Sequence, residues 1–196
     1  MALKIGNIDW NVGRSNPSGI VPIAYRIAKS EITSWPTIDD LEDAASVEAF
    51  VNYTGDFVLK AGSVFETLYS TPGKGKVTFE PVGEIDNTMY VNKGVLSFPA
   101  LVKEARAYAK AAANGDFVYI IPTLEGGYVV IGHPSPAYRV KASVSGDSGD
   151  AAGSAKGITI NLECNDETPL PCYVGDLVTA AGTLDVSTGV LTPAVP

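Results

Sequence analysis

Few residue types in this 196-residue chain could do covalent chemistry, and they are thinly spread. Ser148 stands in Gly-Asp-Ser-Gly within "VSGDSGDAAGSAKG" (144–157), a setting used by serine nucleophiles. His133 is the single histidine, and Cys164 and Cys172 are the two cysteines. "STPGKGKV" (70–77) superficially suggests phosphate binding, and "DDLEDAASVE" (39–48) concentrates carboxylates.

A serine nucleophile needs a base within hydrogen-bond reach, normally a histidine oriented by a carboxylate. In trypsin-like proteases that histidine lies on the order of a hundred residues away, on another barrel. Here His133 precedes Ser148 by fifteen positions, in an unrelated "GHPSP" context. The surrounding Gly, Ser, Ala and Asp are hairpin-loop residues, so Ser148 reads as part of a flexible loop. His133 reads as a strand-end residue before a Pro-rich turn.

The other motifs fare no better. A metal site would need further ligands at suitable spacing beyond Cys164 and Cys172. "STPGKGKV" lacks the GxxxxGK[ST] spacing and opens no helix, so it reads as a tight turn with solvated lysines. The acidic cluster lacks the Asp/Asn/Gly alternation of a calcium loop and reads as a solvated face. Nothing selects a glycosidase pair from 22 acids. The sequence therefore nominates no catalytic, cofactor-binding or metal-binding residue, and the expectation is a protein that is not an enzyme.

The elements that would carry any site are mostly strands. The chain is 45% hydrophobic and 18% charged, with 20 Gly and 13 Pro, which suits strands joined by many turns. Residues 20–35, 56–71 and 75–84 read as strands, with turns at Ala61-Gly62 and Pro72-Gly73. Residues 37–50 read as a short acidic helix or an ordered loop. A helix is expected over 99–114, capped by Ser97, with Pro99 in its first turn and Asn114-Gly115 as its stop. Its buried stripe would be Leu101, Ala105, Tyr108 and Ala112, opposite Lys103, Arg106 and Lys110. Residues 117–124 and 128–132 flank Glu125-Gly126-Gly127 as a hairpin.

Two further segments alternate with period two. Tyr138, Val140, Ala142 and Val144 would share one face of a strand; Ile158, Ile160, Leu162 and Cys164 would share one face of the next. Residues 145–157 join them. Residues 1–22 read as an extended arm and 181–196 as a C-terminal tail, an edge strand or second arm, around a domain at 23–180. No signal peptide and no apolar run of about 20 residues is visible, so folding in a cytoplasm without a membrane anchor is expected. A reducing compartment favours two thiols, although facing strands could bring Cys164 and Cys172 together. The net charge of −8 argues against wrapping nucleic acid and suits either plain solubility or a surface that nucleic acid passes without sticking.

One order of elements is more informative. The helix "FPALVKEARAYAKAAAN" is followed by "DFVYIIPT", the turn "EGGY", "VVIGHP", "YRVKASVSGD", the small-residue loop, "KGITINLE" and "PCYVGD". Together with "IAYRIAKSEITSWP", "GDFVLKAGSVFETLYST" and "GKVTFEPVGE" upstream, this resembles tail tube proteins of tailed bacteriophages, in particular those of phages and prophages of Bacteroidetes-type bacteria. The likeness spans roughly residues 20–180 and carries no active-site motif.

The resemblance implies two packed antiparallel sheets, a sandwich or barrel, with one helix on the flank. It implies hexameric rings whose inner sheets join into a tube, stacked along a virion tail, through which DNA leaves the capsid. Open strand edges and arms suit a neighbour that completes the sheet, and an acidic chain suits a conduit that repels phosphates. The alternatives are another virion β-protein, such as a head–tail connector, decoration or baseplate component, and a non-catalytic glycan- or protein-binding module.

Overall fold

The computed structural model describes residues 5–10 and 12–194. In chain order, β1 (Ile23–Ala28), a 3-10 turn (Lys29–Glu31) and β2 (Ile32–Ser34) precede α1 (Val47–Val51). Then come β3 (Asn52–Tyr53), β4 (Val58–Leu59), β5 (Glu66–Tyr69), β6 (Lys76–Val82), β7 (Met89–Phe98) and α2 (Lys103–Ala112). The second half holds β8 (Phe117–Pro122), β9 (Tyr128–Ile131), β10 (Lys141–Asp147), β11 (Gly157–Asp166) and β12 (Cys172–Tyr173). Last are β13 (Asp176–Thr179), β14 (Gly182–Asp185) and β15 (Val190–Pro193).

The β8–β9 hairpin forms the centre. Thr123 fixes its turn: its amide donates to Gly127 O at 2.7 Å, and its Oγ1 accepts from Gly127 N at 3.1 Å. Gly126 takes φ of 106°, which a side chain would resist. The hairpin sits within a six-stranded sheet of order β3-β12-β9-β8-β1-β5, antiparallel except for the β12–β3 pair. Successive side chains of a strand point to opposite faces. Tyr119, Ile121, Val129 and Ile131 therefore enter one core, and Val118, Ile120 and Val130 enter another. Burial on both faces explains why "FVYIIP" and "YVVI" are apolar without alternation.

The first core is closed by a four-stranded antiparallel sheet, β10-β11-β7-β6. Here the expected alternation holds: Ile158, Ile160, Leu162 and Cys164 are buried, with Val140, Ala142 and Val144 packed against the same cluster. Each large aliphatic so buried contributes about 1.5–3 kcal/mol. The fold is thus mainly β, with principal sheets stacked as a sandwich. None of the sheets closes into a barrel among the described residues.

The second core has a cover that the sequence reading did not assign. β13, β14 and β15 form a three-stranded meander whose Leu177 and Leu184, with Val186 just beyond, bury against Tyr25, Phe65 and Ile120. The boundary expected at residue 180 falls in the turn joining β13 to β14, and the expected tail is the third layer of the fold. Phe65 N donates to Val178 O at 2.8 Å, and Asp56 Oδ1 accepts from Asp176 N at 2.8 Å. These bonds dock the meander. Residues 195–196, also assigned to that tail, lie outside the described residues.

The helix is shorter than expected. Ser97 and Phe98 end β7, paired with Thr159 and Ile158 of β11, so Ser97 is committed to the sheet and Pro99 precedes the helix. Val102 occupies the cap position with no side-chain hydrogen bond. The buried stripe is as expected: Ala112 is buried, and Leu101, Ala105 and Tyr108 pack on the first core. Tyr108 Oη lies 2.9 Å from Tyr119 Oη. The Arg26 guanidinium sits 4.3 Å from the Tyr108 ring centroid and is held by Glu66.

β7 was not anticipated, although it is the strand between β11 and β6. Its inward positions are Asn92, Gly94 and Leu96. Asn92 is buried; its Nδ2 donates to Thr168 O and its Oδ1 accepts from Leu170 N, both at 2.9 Å. A methyl group at Gly94 would meet Ile121 Cδ1 at 2.9 Å, so glycine permits the two sheets to approach.

Candidate functional site

Ser148 lies in the exposed loop after β10, and its Oγ donates to Gly149 O. His133 has other neighbours. Its Nδ1 accepts from Ser135 N at 3.0 Å, its ring meets Tyr138 edge-on at 4.9 Å, and its Nε2 lies 3.9 Å from Glu167 Oε2. The nucleophile–base pair required for acyl transfer is therefore not formed. The loop is ordered by local bonds: Gly149 N donates to Asp147 Oδ1 at 2.8 Å, and Ser154 Oγ donates to Asp150 Oδ1.

Asp147 and Gly157 already pair, so a two-residue Asn-Gly turn replacing residues 148–156 should close the hairpin. Thermal unfolding of that variant is expected to shift stability by no more than about 0.5 kcal/mol. A drop of about 2 kcal/mol or more would show that the loop packs on the domain.

The two cysteines are free thiols. Their strands belong to different sheets, and burial pushes the Cys164 thiol up to about 12. Lys74 lies in a turn, with its amide donating to Thr71 O, and the strand β6 follows it. Neither feature gives a reactive thiolate or a phosphate cradle. Among the described residues, no three His, Cys, Asp or Glu side chains group to hold a metal ion. Among the described residues, no helix is long and apolar enough to cross a membrane.

Two features have the character of recognition surfaces. The first is a pocket of about 580 Å³ beside His133. Its acidic wall combines Asp39 and Asp40, from the segment after β2, with Asp166 and Glu167 at the end of β11. Its aromatic wall is Trp35, Tyr53 and Tyr90. Asp166 is 3% exposed; its Oδ1 accepts from Thr168 N at 2.8 Å, while its buried Oδ2 has no partner. Burial raises the Asp166 carboxyl to about 6, and the adjacent Glu167 charge adds to that rise. Burial also holds His133 below its usual value, so the imidazole is neutral at pH 7. Part of the cluster expected to be a solvated face therefore lines a pocket.

Asp166 and Glu167 were missed by motif reading. The available signal was period two: continuing the Ile158, Ile160, Leu162, Cys164 series by one step points Asp166 inward.

The second feature is the set of unpartnered edges and the arm. β6 is exposed over most of its length, with Phe79 and Val82 about half exposed, and Ile85 at its hairpin tip is 90% exposed. In the arm, residues 5–10 and 12–18 are exposed and form no strand or helix; Ile8 and Val12 are each 95% exposed. The arm attaches where Ile20 is buried and Gly19 O accepts from Leu124 N at 3.1 Å. Trp10 and Arg14 border an open groove of about 1020 Å³ against the β8–β9 turn. Residues 1–4 and 11 of the expected arm lie outside the described residues.

Searched against family models, curated proteins and solved structures, the chain matches none.

Proposed function

We propose that the chain is a structural virion subunit, a phage tail tube protein whose hexameric rings stack into a conduit for DNA ejection. The observation that carries this reading is the exposed arm together with the open edge strand β6, where Phe79 and Val82 are half exposed and Ile85 stands out at the hairpin tip. Large apolar side chains kept in water on an unpaired edge are a hazard for a monomer and a resource for a chain completed by its neighbours. The stacked antiparallel sheets with a helix on the flank agree with what the resemblance implies. A heterologous contact that closes into a ring and repeats along an axis gives a filament, and a net charge of −8 suits a passage for polyphosphate.

Negative-stain electron microscopy across a protein concentration series tests the assembly. Rings or hollow tubes are expected. Deleting residues 1–16 should leave the domain's melting temperature intact while impairing stacking or ring closure. Tubes of unchanged length and abundance from the truncated chain would remove the arm from the assembly.

The pocket beside Asp166 favours a second reading, a non-catalytic binding module on a β-sandwich. It predicts a monodisperse monomer at every concentration. Another virion β-protein, such as a connector, decoration or baseplate component, would give a single ring or a decoration without polymerising.

A further inference from the structure

We propose that residues 8–12 of the arm act as a donor strand that pairs with the open edge of β6 in a second copy of the chain. The proposal rests on the assembly reading above and names the contact that the arm makes in it. Ile8, Trp10 and Val12 stand at every second position, separated by Asp9 and Asn11. That is the pattern of a strand with one dry and one wet face. Yet all three apolar side chains are exposed, and the described arm residues up to 18 join no ladder. A segment patterned as a strand, and left in water by its own chain, is suited to completing the sheet of a neighbour.

β6 supplies the matching surface. It pairs with β7 on one side, and among the described residues no strand pairs with its other side. Pro81 has no N–H to give, so the usable edge is residues 76–80, five positions against the five of the donor. Val77 and Phe79 lie opposite Gly94 and Asn92, and so share the inward face of the sheet. Val77 packs on the first core, whereas Phe79, edge-on to Tyr90 at 5.9 Å, is half exposed. The sheet therefore overhangs its core at this edge. An added strand sets Ile8, Trp10 and Val12 on that inward face beside Phe79. Its Asp9 and Asn11 then fall on the wet face, beside Lys76, Thr78 and Glu80. β10, the opposite edge of the same sheet, already has α2 against it.

Each copy carries both donor and acceptor. Pairing within one chain is in reach: Ile20, the root of the arm, packs where a methyl group on Gly75 would stand, and Trp10 borders the same groove as Lys76 and Val77. The folded monomer leaves that pairing unmade.

The test mixes two full-length chains, Asp9→Cys and Thr78→Cys, both changed on the wet face. A short bismaleimide links them and tolerates a register shift of two residues, about 7 Å. Burial holds the Cys164 and Cys172 thiols protonated, and thiolate is the reactive form, so the new cysteines react first. A covalent dimer is expected in the mixture and in neither chain alone, with its junction mapped by mass spectrometry to residues 9 and 78. Adding Ile8→Ser, Trp10→Ser and Val12→Ser to the Asp9→Cys chain should cut the dimer yield at least about tenfold. The melting temperature should not move, because those side chains are exposed in the monomer. One chain bearing both cysteines should give linked oligomers. An internally linked monomer instead would place the arm on its own β6 and overturn the proposal. An unchanged dimer yield in the serine variant, or a junction away from β6, would overturn it as well. Electron micrographs of the same samples keep the two readings apart. Tubes without the link between residues 9 and 78 sink the donor strand alone; linked oligomers without rings or tubes sink the tail tube reading and leave the donor strand standing.

Discussion

A chain ending at Gly175 is expected to lose its cooperative fold. The truncation removes Leu177, Leu184 and Val186, each buried in the second core. At about 1.5–3 kcal/mol per side chain, their loss alone approaches the roughly 5–15 kcal/mol that stabilises an ordinary domain. It also uncovers the faces that they shield, including Phe65 and Ile120, and leaves the Asp56 carboxylate without Asp176 N. Dye binding to exposed apolar surface, with no sharp thermal transition, is the anticipated behaviour. Unfolding within a few degrees of the full chain would mean that the meander is an appendage. Leu191→Ala on the outer strand β15, where Leu191 is about half exposed, serves as the control and should cost under about 1 kcal/mol.

The second large effect concerns Asp166 and pH. Its carboxyl is raised to about 6 in the folded protein against an ordinary 3.8, so the folded state holds a proton that the unfolded chain releases. Stability from this group is therefore complete below about pH 4 and is lost as pH rises through about 6. Asp166→Asn removes the ionisation while keeping an oxygen for Thr168 N. The variant and the parent should be equally stable near pH 4. By pH 7.5 the variant should lead by about 2–3 kcal/mol, the free energy equivalent of that shift. Denaturant unfolding at a series of pH values reads this difference directly. A difference that stays flat from pH 4 to 8 would refute the assignment of the buried penalty to Asp166. Glu31, Asp150 and Asp185 are shifted the other way by hydrogen bonds and act as pH falls through the acid range. They are common to both proteins and cancel in the comparison.

The strand pairs with the plainest chemistry were the legible ones. Glu125-Gly126-Gly127 announced the β8–β9 turn, and the β10–β11 pair showed its alternation residue by residue. β7 stayed hidden because its inward side chains are Asn92 and Gly94, neither of which reads as core. One supplies hydrogen bonds to a loop and the other supplies absence of bulk. The C-terminal layer was hidden for a related reason. Its three apolar contacts are scattered among Gly182, Asp185, Ser187 and Thr188, which spell turns. Asp185 accepts from both the Ser187 and Thr188 side chains, so those polar residues build the β14–β15 connection. Ser97 and Pro99 carried a valid helix-start pattern, but pairing with β11 extended β7 through Ser97 to Phe98 and left Pro99 ahead of the helix. The site residues were the least legible. An inward Asp has no motif, and its pocket exists only after segments more than a hundred positions apart have met.

That separation has a consequence for how the polypeptide matures. β3 lies beside β12, and Phe57 N donates to Tyr173 Oη across 116 positions. β1 takes its place only between β5 and β8, the latter nearly a hundred residues downstream. Long-range pairing must repay loop-closure entropy before it gains anything, so folding is expected to be slow. During synthesis the first half of the chain emerges with its apolar strands unpaired and waits for the last layer to leave the ribosome. Because the edge strand β6 stays exposed even in the finished fold, that interval is when non-native association is most dangerous.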